Sequence, residues 1–245
     1  MPTVFIMKDR NLRILSTRPL DEALVEKASF KHITITTLPF IEIKKLVTNE
    51  VSRQIEMLSK LPATVVFTSM NAVEVVVDLL PANAVMPGWK LYCIGGATFT
   101  LVKKYWAYDS IAFTAKNATD LAKKITADKI TNIHFFCGNK RREELPEILR
   151  AENIMVNELV VYETIDTPVK IEEDYNAILF FSPSAVNSFF TSNQVSPDTI
   201  LFAIGNTTAN AIKQFSSNSI VVSEFPARDQ LVDKAIEYFD RERLR

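Results

Sequence analysis

The chain repeats itself. A strand-like run ending Phe67-Thr68-Ser69-Met70-Asn71-Ala72-Val73 returns as Phe180-Phe181-Ser182-Pro183-Ser184-Ala185-Val186, and each copy continues into a helical pattern. Further along, Leu91-Tyr92-Cys93-Ile94-Gly95-Gly96-Ala97-Thr98 is answered by Leu201-Phe202-Ala203-Ile204-Gly205-Asn206-Thr207-Thr208, and Ala118-Thr119-Asp120-Leu121-Ala122 by Ala227-Arg228-Asp229-Gln230-Leu231. Two similar α/β units therefore share one chain, and a cleft between two such units is an expected ligand site. With 245 residues and 47% hydrophobic content there is enough apolar material for two modest cores.

Short apolar runs followed by helix-period segments give ten expected strands: Arg13 to Thr17, His32 to Leu38, Thr64 to Thr68, Lys90 to Ile94, Ile111 to Thr114, Asn132 to Cys137, Ile154 to Tyr162, Ala177 to Phe181, Thr199 to Ile204 and Ser219 to Ser223. The middle of the chain holds five of them, and only three follow Ala177. The order strand, basic turn, acidic-start helix, strand at Arg13 to Leu38 repeats the order at Ile133 to Tyr162, so the N-terminus supplies the missing two. The second unit then reads as a circularly permuted copy of the first. The expected fold is α/β, with two flavodoxin-like domains, each a five-stranded parallel sheet with helices on both faces. One domain joins residues 1–39 with 167–245, and the other, 40–166, is inserted into it. The chain crosses between them near Leu38-Pro39-Phe40 and near Thr164-Ile165-Asp166-Thr167-Pro168, which predicts a two-strand hinge.

Several function classes are disfavoured. Twenty-eight basic against twenty-nine acidic side chains, interspersed, leave a net charge of −1 and no cationic face of the kind nucleic acid requires. No apolar run is long enough for a membrane span, and Lys8, Asp9, Arg10, Arg13 and Arg18 interrupt any signal-peptide core, so a cytoplasmic protein is expected. Cys93 and Cys137 end apolar runs without CxxC or histidine partners and read as buried reduced thiols. His32 and His134 fall in expected strands, lack metal-ligand spacing and read as structural; neither metal nor cofactor is expected. There is no GxGxxG, no phosphate-cradling GxxxxGK[ST] and no GxSxG elbow.

What remains lies at the carboxyl ends of the strands. Gly95, Gly96, Gly138 and Gly205 fall at strand-to-helix turns, accompanied by Thr68, Ser69, Thr98, Ser182, Ser184, Thr207 and Thr208. Hydroxyls and free N–H groups at helix starts hold carboxylates or phosphates without bulk positive charge, though the same side chains serve as ordinary N-caps. Basic clusters at Lys103-Lys104 and Lys140-Arg141-Arg142 are either solvated surface or a few cations for a polyanionic small molecule. Tyr162, in Val160-Val161-Tyr162-Glu163-Thr164, either donates a proton into the cleft or packs the hinge.

Taken in order, Phe-Thr-Ser-x-Asn-Ala-Val at 67–73, Ile-Gly-x-x-Thr at 94–98, Val-Tyr-Glu-Thr at 161–164, Ser-Pro-Ser-Ala-Val at 182–186 and Ala-Ile-Gly-x-Thr-Thr-Ala at 203–209, with Thr17-Arg18-Pro19 near the start, resemble the uroporphyrinogen-III synthase family over nearly the whole chain. That resemblance implies a lyase of haem biosynthesis. It would cyclise hydroxymethylbilane, a linear tetrapyrrole with eight carboxylates, to uroporphyrinogen III, losing water and inverting ring D. It implies no cofactor, no nucleic-acid or membrane partner, and a monomer. Carried over by position, Thr68, Ser69, Thr98, Ser182, Thr207 and Thr208 line the substrate site, with Arg18 and Arg142 as further contacts and Tyr162 as general acid. One departure stands out: where many members have an arginine before the glycine of the corresponding strand, this chain has Cys137. The alternative reading is a non-catalytic two-domain binder of a small polyanion, for which Tyr162→Phe changes nothing. A third, a flavin or nucleotide enzyme, predicts a bound chromophore.

Overall fold

Parallel strands buried on both faces need nearly uninterrupted apolar sequence, and the chain supplies it: Ala177 to Phe180 are all buried, as are Val65 to Phe67 and Leu201 to Ala203. The computed structural model describes residues 12–80, 86–224 and 227–243. Lys8, Asp9 and Arg10, with the rest of residues 1–11 of the expected first domain, lie outside the described residues. The chain runs β1 (Leu12–Ser16), α1 (Glu22–Ser29), β2 (Ile33–Thr37), β3 (Ile41–Lys45), α2 (Asn49–Ser59), β4 (Thr64–Phe67), α3 (Met70–Leu79), β5 (Lys90–Ile94) and α4 (Ala97–Tyr105). It continues through β6 (Ile111–Ala115), α5 (Ala118–Ala127), β7 (Asn132–Gly138), α6 (Glu144–Ala151), β8 (Met155–Asp166), β9 (Ala177–Phe180), α7 (Pro183–Ser192), β10 (Ile200–Ala203), α8 (Asn206–Ile212), β11 (Ile220–Val222) and α9 (Arg228–Arg243).

Contacts divide the chain into two compact units, one built from the residues up to Glu42 and from Asp166 onward, the other from Ile43 to Ile165. The first unit holds a five-stranded sheet in the order β11-β10-β9-β1-β2, all pairs parallel. One of its faces packs Ile14, Ile35, Leu179 and Phe202 against Leu231, Val232 and Ile236 of α9. The other packs Leu15, Ile178, Phe180 and Leu201 against Val186 and Phe189 of α7 and Ile212 of α8.

The second unit holds the order β3-β8-β7-β4-β5-β6. The pairs from β8 through β6 are parallel. Val65, Phe67 and Leu91 meet α2, α3 and α4 on one face, whereas Val66, Tyr92 and Phe135 meet Leu121 and Ile125 of α5 and Leu145 and Leu149 of α6 on the other. The result is an α/β protein of parallel sheets sandwiched by helices.

Two details depart from the sequence expectation. The second sheet has six strands, not five, because Ile41–Lys45 adds to the edge of the twelve-residue β8, where the Leu46 amide donates to the Val161 carbonyl at 2.9 Å. An unpaired edge that long invites a partner. His32 does not lie in a strand but in the turn before β2, with φ 54°. Lys129 and Asn153, after α5 and α6, share that left-handed conformation, and in both turns the amide two residues past the C-cap returns to the last helical turn: Ile130 to the Ile125 carbonyl, Ile154 to the Leu149 carbonyl. Such helix stops commonly use glycine. This chain, with only five glycines, fills them with His, Lys and Asn.

Phe67, the last residue of β4, sets the position of the turn that follows it. Its ring is fully buried, 5.6 Å from that of Phe136 and 5.9 Å from that of Trp106. Phe67→Ala is expected to lower the unfolding free energy by about 3–5 kcal/mol at unchanged denaturant slope, read by urea titration; a loss under about 1 kcal/mol would show that the ring is not wedged as described.

Candidate active site

The carboxyl end of the second sheet is shaped by one irregularity. Cys137 pairs with Val160 but Gly138 pairs with Tyr162, so Val161 is an extra residue, a bulge in β8. Bulges re-aim the side chains that follow them. Strict alternation would send Val161 and Tyr162 to opposite faces, yet both pack against the same core cluster. The hydroxyl end of the turned ring lies against Gly138: a Cβ built there would sit 2.4 Å from Tyr162 Cζ and 2.8 Å from its hydroxyl oxygen. Only a residue without a side chain fits beneath the ring.

The backbone around Tyr162 is held from the next turn. The Asn139 amide donates to the Tyr162 carbonyl at 3.2 Å, and Asn139 Oδ1 accepts from the Thr164 amide at 2.8 Å. The phenol itself donates to Ser69 Oγ at 3.1 Å. Ser69 is the N-cap of α3, in extended backbone, and its Oγ also accepts from the Asn71 amide at 3.2 Å. Burial pushes the Tyr162 hydroxyl above its ordinary pKa, opposed by its hydrogen-bond contacts with the Ser69 and Asn71 side chains and aided by the nearby Cys137. Tyr162 is therefore a neutral donor at physiological pH.

Behind this turn sits an ion-pair cluster. Glu158 on β8 accepts from Arg141 Nε and from Arg150, while Arg141 also meets Glu143 at 2.6 Å. Burial acts to raise the Glu158 pKa, but the Arg141 and Arg150 hydrogen bonds and charges outweigh it and leave it below the usual range. Arg141 is thus committed to fixing the turn, whereas Arg142 is exposed. Cys137 is 1% exposed among Leu145, Leu149 and Val160, its thiol pushed up to about 12 by burial and by the Glu158 charge. That position is part of the core and holds a neutral side chain. Both cysteines are buried free thiols. His134, held neutral by partial burial, lies four residues up the strand from Gly138, about 13 Å away.

The remaining expected residues fall as follows. Thr68 is half-buried directly after β4. Thr98 lies in the first turn of α4 behind Gly96, whose φ of 73° suits glycine, and is 6% exposed. In the first unit, Ser182 N-caps α7, accepting from the Ala185 amide at 3.1 Å, with Pro183 at the first helical position. Arg18, after β1, places its guanidinium carbon 5.7 Å from the Phe181 ring. Thr207 is exposed at the start of α8, and Thr208 beside it is 3% exposed. Ser69 and Tyr162 are thus brought into direct contact. Thr98 and Thr208 are buried within their own units, so at those two residues a ligand meets backbone. Asn71 and Asn139 were not singled out from the sequence; Asn139 follows Gly138 directly, and Asn71 stands two residues past a serine N-cap. Among the described residues, no three His, Cys, Asp or Glu side chains cluster as a metal site, and no helix is long and apolar enough to cross a membrane.

Parallel sheets under helices on both faces, with capped strand-to-helix turns and a neutral phenol at a strand end, define an α/β protein. The family model described as uroporphyrinogen-III synthase HemD matches residues 22–233, and the chain belongs to that family. Its activity is that of a lyase in haem biosynthesis. Among solved structures, the chain is similar to a mutant uroporphyrinogen III synthase from the extremely thermophilic bacterium Thermus thermophilus, with TM-score 0.68 at 14% identity over 94% of this chain and 99% of that one. It is similar also to uroporphyrinogen-III synthetase from Helicobacter pylori, with TM-score 0.62 at 17% identity over 93% and 99%. At such identities the likeness speaks for the fold.

Gly138→Ala is expected to displace the Tyr162 ring, break its bond to Ser69 and destabilise by about 1–3 kcal/mol without unfolding the chain. Ultraviolet difference titration against Tyr162→Phe should then show Tyr162 ionising nearer its ordinary value, about 10; an unmoved titration would mean that the ring does not rest on Gly138. In the wild type the raised pKa has a definite sign. Stability linked to the Tyr162 proton is complete below the unfolded value of about 10 and is lost as pH rises through the folded one. Chemical denaturation at alkaline pH should show a steeper loss in wild type than in Tyr162→Phe, and equal slopes would contradict the assigned burial.

Proposed function

We propose that this chain cyclises hydroxymethylbilane to uroporphyrinogen III, and that Tyr162 supplies the proton on which the terminal hydroxyl departs as water. The carbon left electron-poor is attacked by the substituted position of ring D, and the spiro intermediate opens and recloses with that ring inverted. Backbone N–H groups at the helix starts, including those at Thr98 and Thr208, with the hydroxyls of Thr68, Ser69, Ser182 and Thr207 contributing and Arg18 and Arg142 adding charge, bind the substrate's carboxylates. The observation that carries the reading is the inward-turned, neutral Tyr162 hydroxyl 3.1 Å from Ser69 Oγ, in a chain whose family match spans residues 22–233.

The architecture in this reading is two flavodoxin-like domains joined by a two-strand hinge. Support comes from the strand orders: β2-β1-β9-β10-β11 is the 2-1-3-4-5 order of that fold, and β8-β7-β4-β5-β6 becomes the same order once the chain is renumbered from β7. The two units are then permuted copies of each other, with one edge strand added to the inserted one. A cytoplasmic monomer without a cofactor completes the reading.

The test is to add purified protein to freshly generated hydroxymethylbilane, oxidise the product and separate porphyrin isomers by chromatography. Predominantly isomer III is expected. Isomer I at the protein-free level would overturn the reading.

A further inference from the structure

Ser69 Oγ receives two hydrogen bonds, one from the Asn71 amide at 3.2 Å and one from the Tyr162 hydroxyl at 3.1 Å. A serine hydroxyl has two lone pairs and one proton. With both lone pairs engaged, the proton is left to point away from the helix start and away from Tyr162. The phenol, in contrast, has its ring seated on Gly138 and its hydrogen directed at Ser69. In this geometry the outward donor is the serine.

We propose that Ser69 is the catalytic residue that touches the departing hydroxyl, and that Tyr162 acts through it as the second member of a proton relay. This rests on the reading of the chain as a synthase acting on hydroxymethylbilane. As the C–O bond breaks, its electron pair stays with oxygen, and that oxygen takes the Ser69 proton and leaves as water. Ser69 Oγ takes the phenolic proton along the existing hydrogen bond. The lone pair of the adjoining pyrrole nitrogen fills the electron gap at the methylene carbon. Tyr162 is left as a phenolate, which its burial disfavours. It recovers a proton through Ser69 when the unsubstituted carbon of ring D loses its hydrogen at closure. One water is released and the proton count closes.

The N-cap role of Ser69 must be kept apart from the relay, and the choice of side chain does this. Ser69→Asn preserves a good cap but cannot pass a proton on, whereas Ser69→Thr preserves both. With freshly generated hydroxymethylbilane, Ser69→Asn and Tyr162→Phe are each expected to lose at least about tenfold in the rate of isomer III formation. Their double variant should be no worse than about threefold below the weaker single, because the two act as a unit. Ser69→Thr should recover most of the loss seen in Ser69→Asn. A solvent deuterium isotope effect on kcat, present in wild type, should shrink in Ser69→Asn, a change that losing a cap does not produce. Wild-type rates in Ser69→Asn, or a double variant whose loss is the product of the two single losses, would overturn the relay. If wild type makes isomer III while Ser69→Asn keeps full rate, the relay fails and the synthase reading stands; if wild type itself yields only isomer I, the synthase reading fails with it.

Discussion

A parallel sheet cannot leave either face wet. Its crossover connections run over both faces, and each strand carries apolar side chains on both sides. Both sheets here obey that constraint, with separate clusters above and below. One consequence reaches the site. Every strand-to-helix turn of a sheet falls at the same edge, where the first amides of each helix lack intrahelical partners. Ser69, Asn117 and Ser182 satisfy some of them as caps. Two of those three are also expected to meet substrate. Cap and site share side chains, so a change at Ser69 or Ser182 acts on stability, by about 1 kcal/mol, as well as on any ligand.

The placement of Tyr162 needs the bulge at Val161 to turn the ring, the bare backbone of Gly138 to receive it, and Asn139 to hold the main chain that follows it. A part-buried hydroxyl on a ring seated against backbone is reorganised little when its surroundings change, which is the property that makes an oriented donor effective. The Glu158 cluster contributes at one remove, tying the turn after Gly138 to the strand that carries Tyr162. It also engages Arg141 in ion pairs with Glu158 and Glu143, while Arg142 is exposed in that turn.

Much of the fold was legible because parallel strands announce themselves as apolar runs. All ten runs read from the sequence contain strands, and the repeated turn motifs located the helix starts. The eleventh strand escaped because Ile41-Glu42-Ile43-Lys44-Lys45 is mostly exposed; the edge of β8 makes it a strand, not burial of its own side chains. His32 escaped for a different reason, since a left-handed turn at a non-glycine residue leaves no compositional mark. At the site, the Ser69 and Ser182 caps could be read from position alone. The burial of Thr98 and Thr208 could not, because a threonine in a first helical turn faces core or solvent according to how the helix is rotated on its sheet. Nor could the meeting of Ser69 with Tyr162, 93 residues apart, which depends on a one-residue bulge.

On the proposed reading, the energetics ask for little beyond orientation. The substrate already closes unaided to the wrong isomer, so the protein must favour one closure over another. A hundredfold preference corresponds to about 2.7 kcal/mol between the two barriers. Hydrogen bonds contribute about 0.5–1.5 kcal/mol each, more when the acceptor is charged, so a few well-placed donors to carboxylates reach that difference. A net charge of −1 gives no long-range attraction toward an eightfold carboxylate, which leaves short-range donors at the helix starts as the means of holding it. A neutral phenol fits the same logic. A carboxylate at that position would repel the substrate, whereas a hydroxyl whose ionisation is suppressed by burial can give a proton without adding negative charge before the bond breaks.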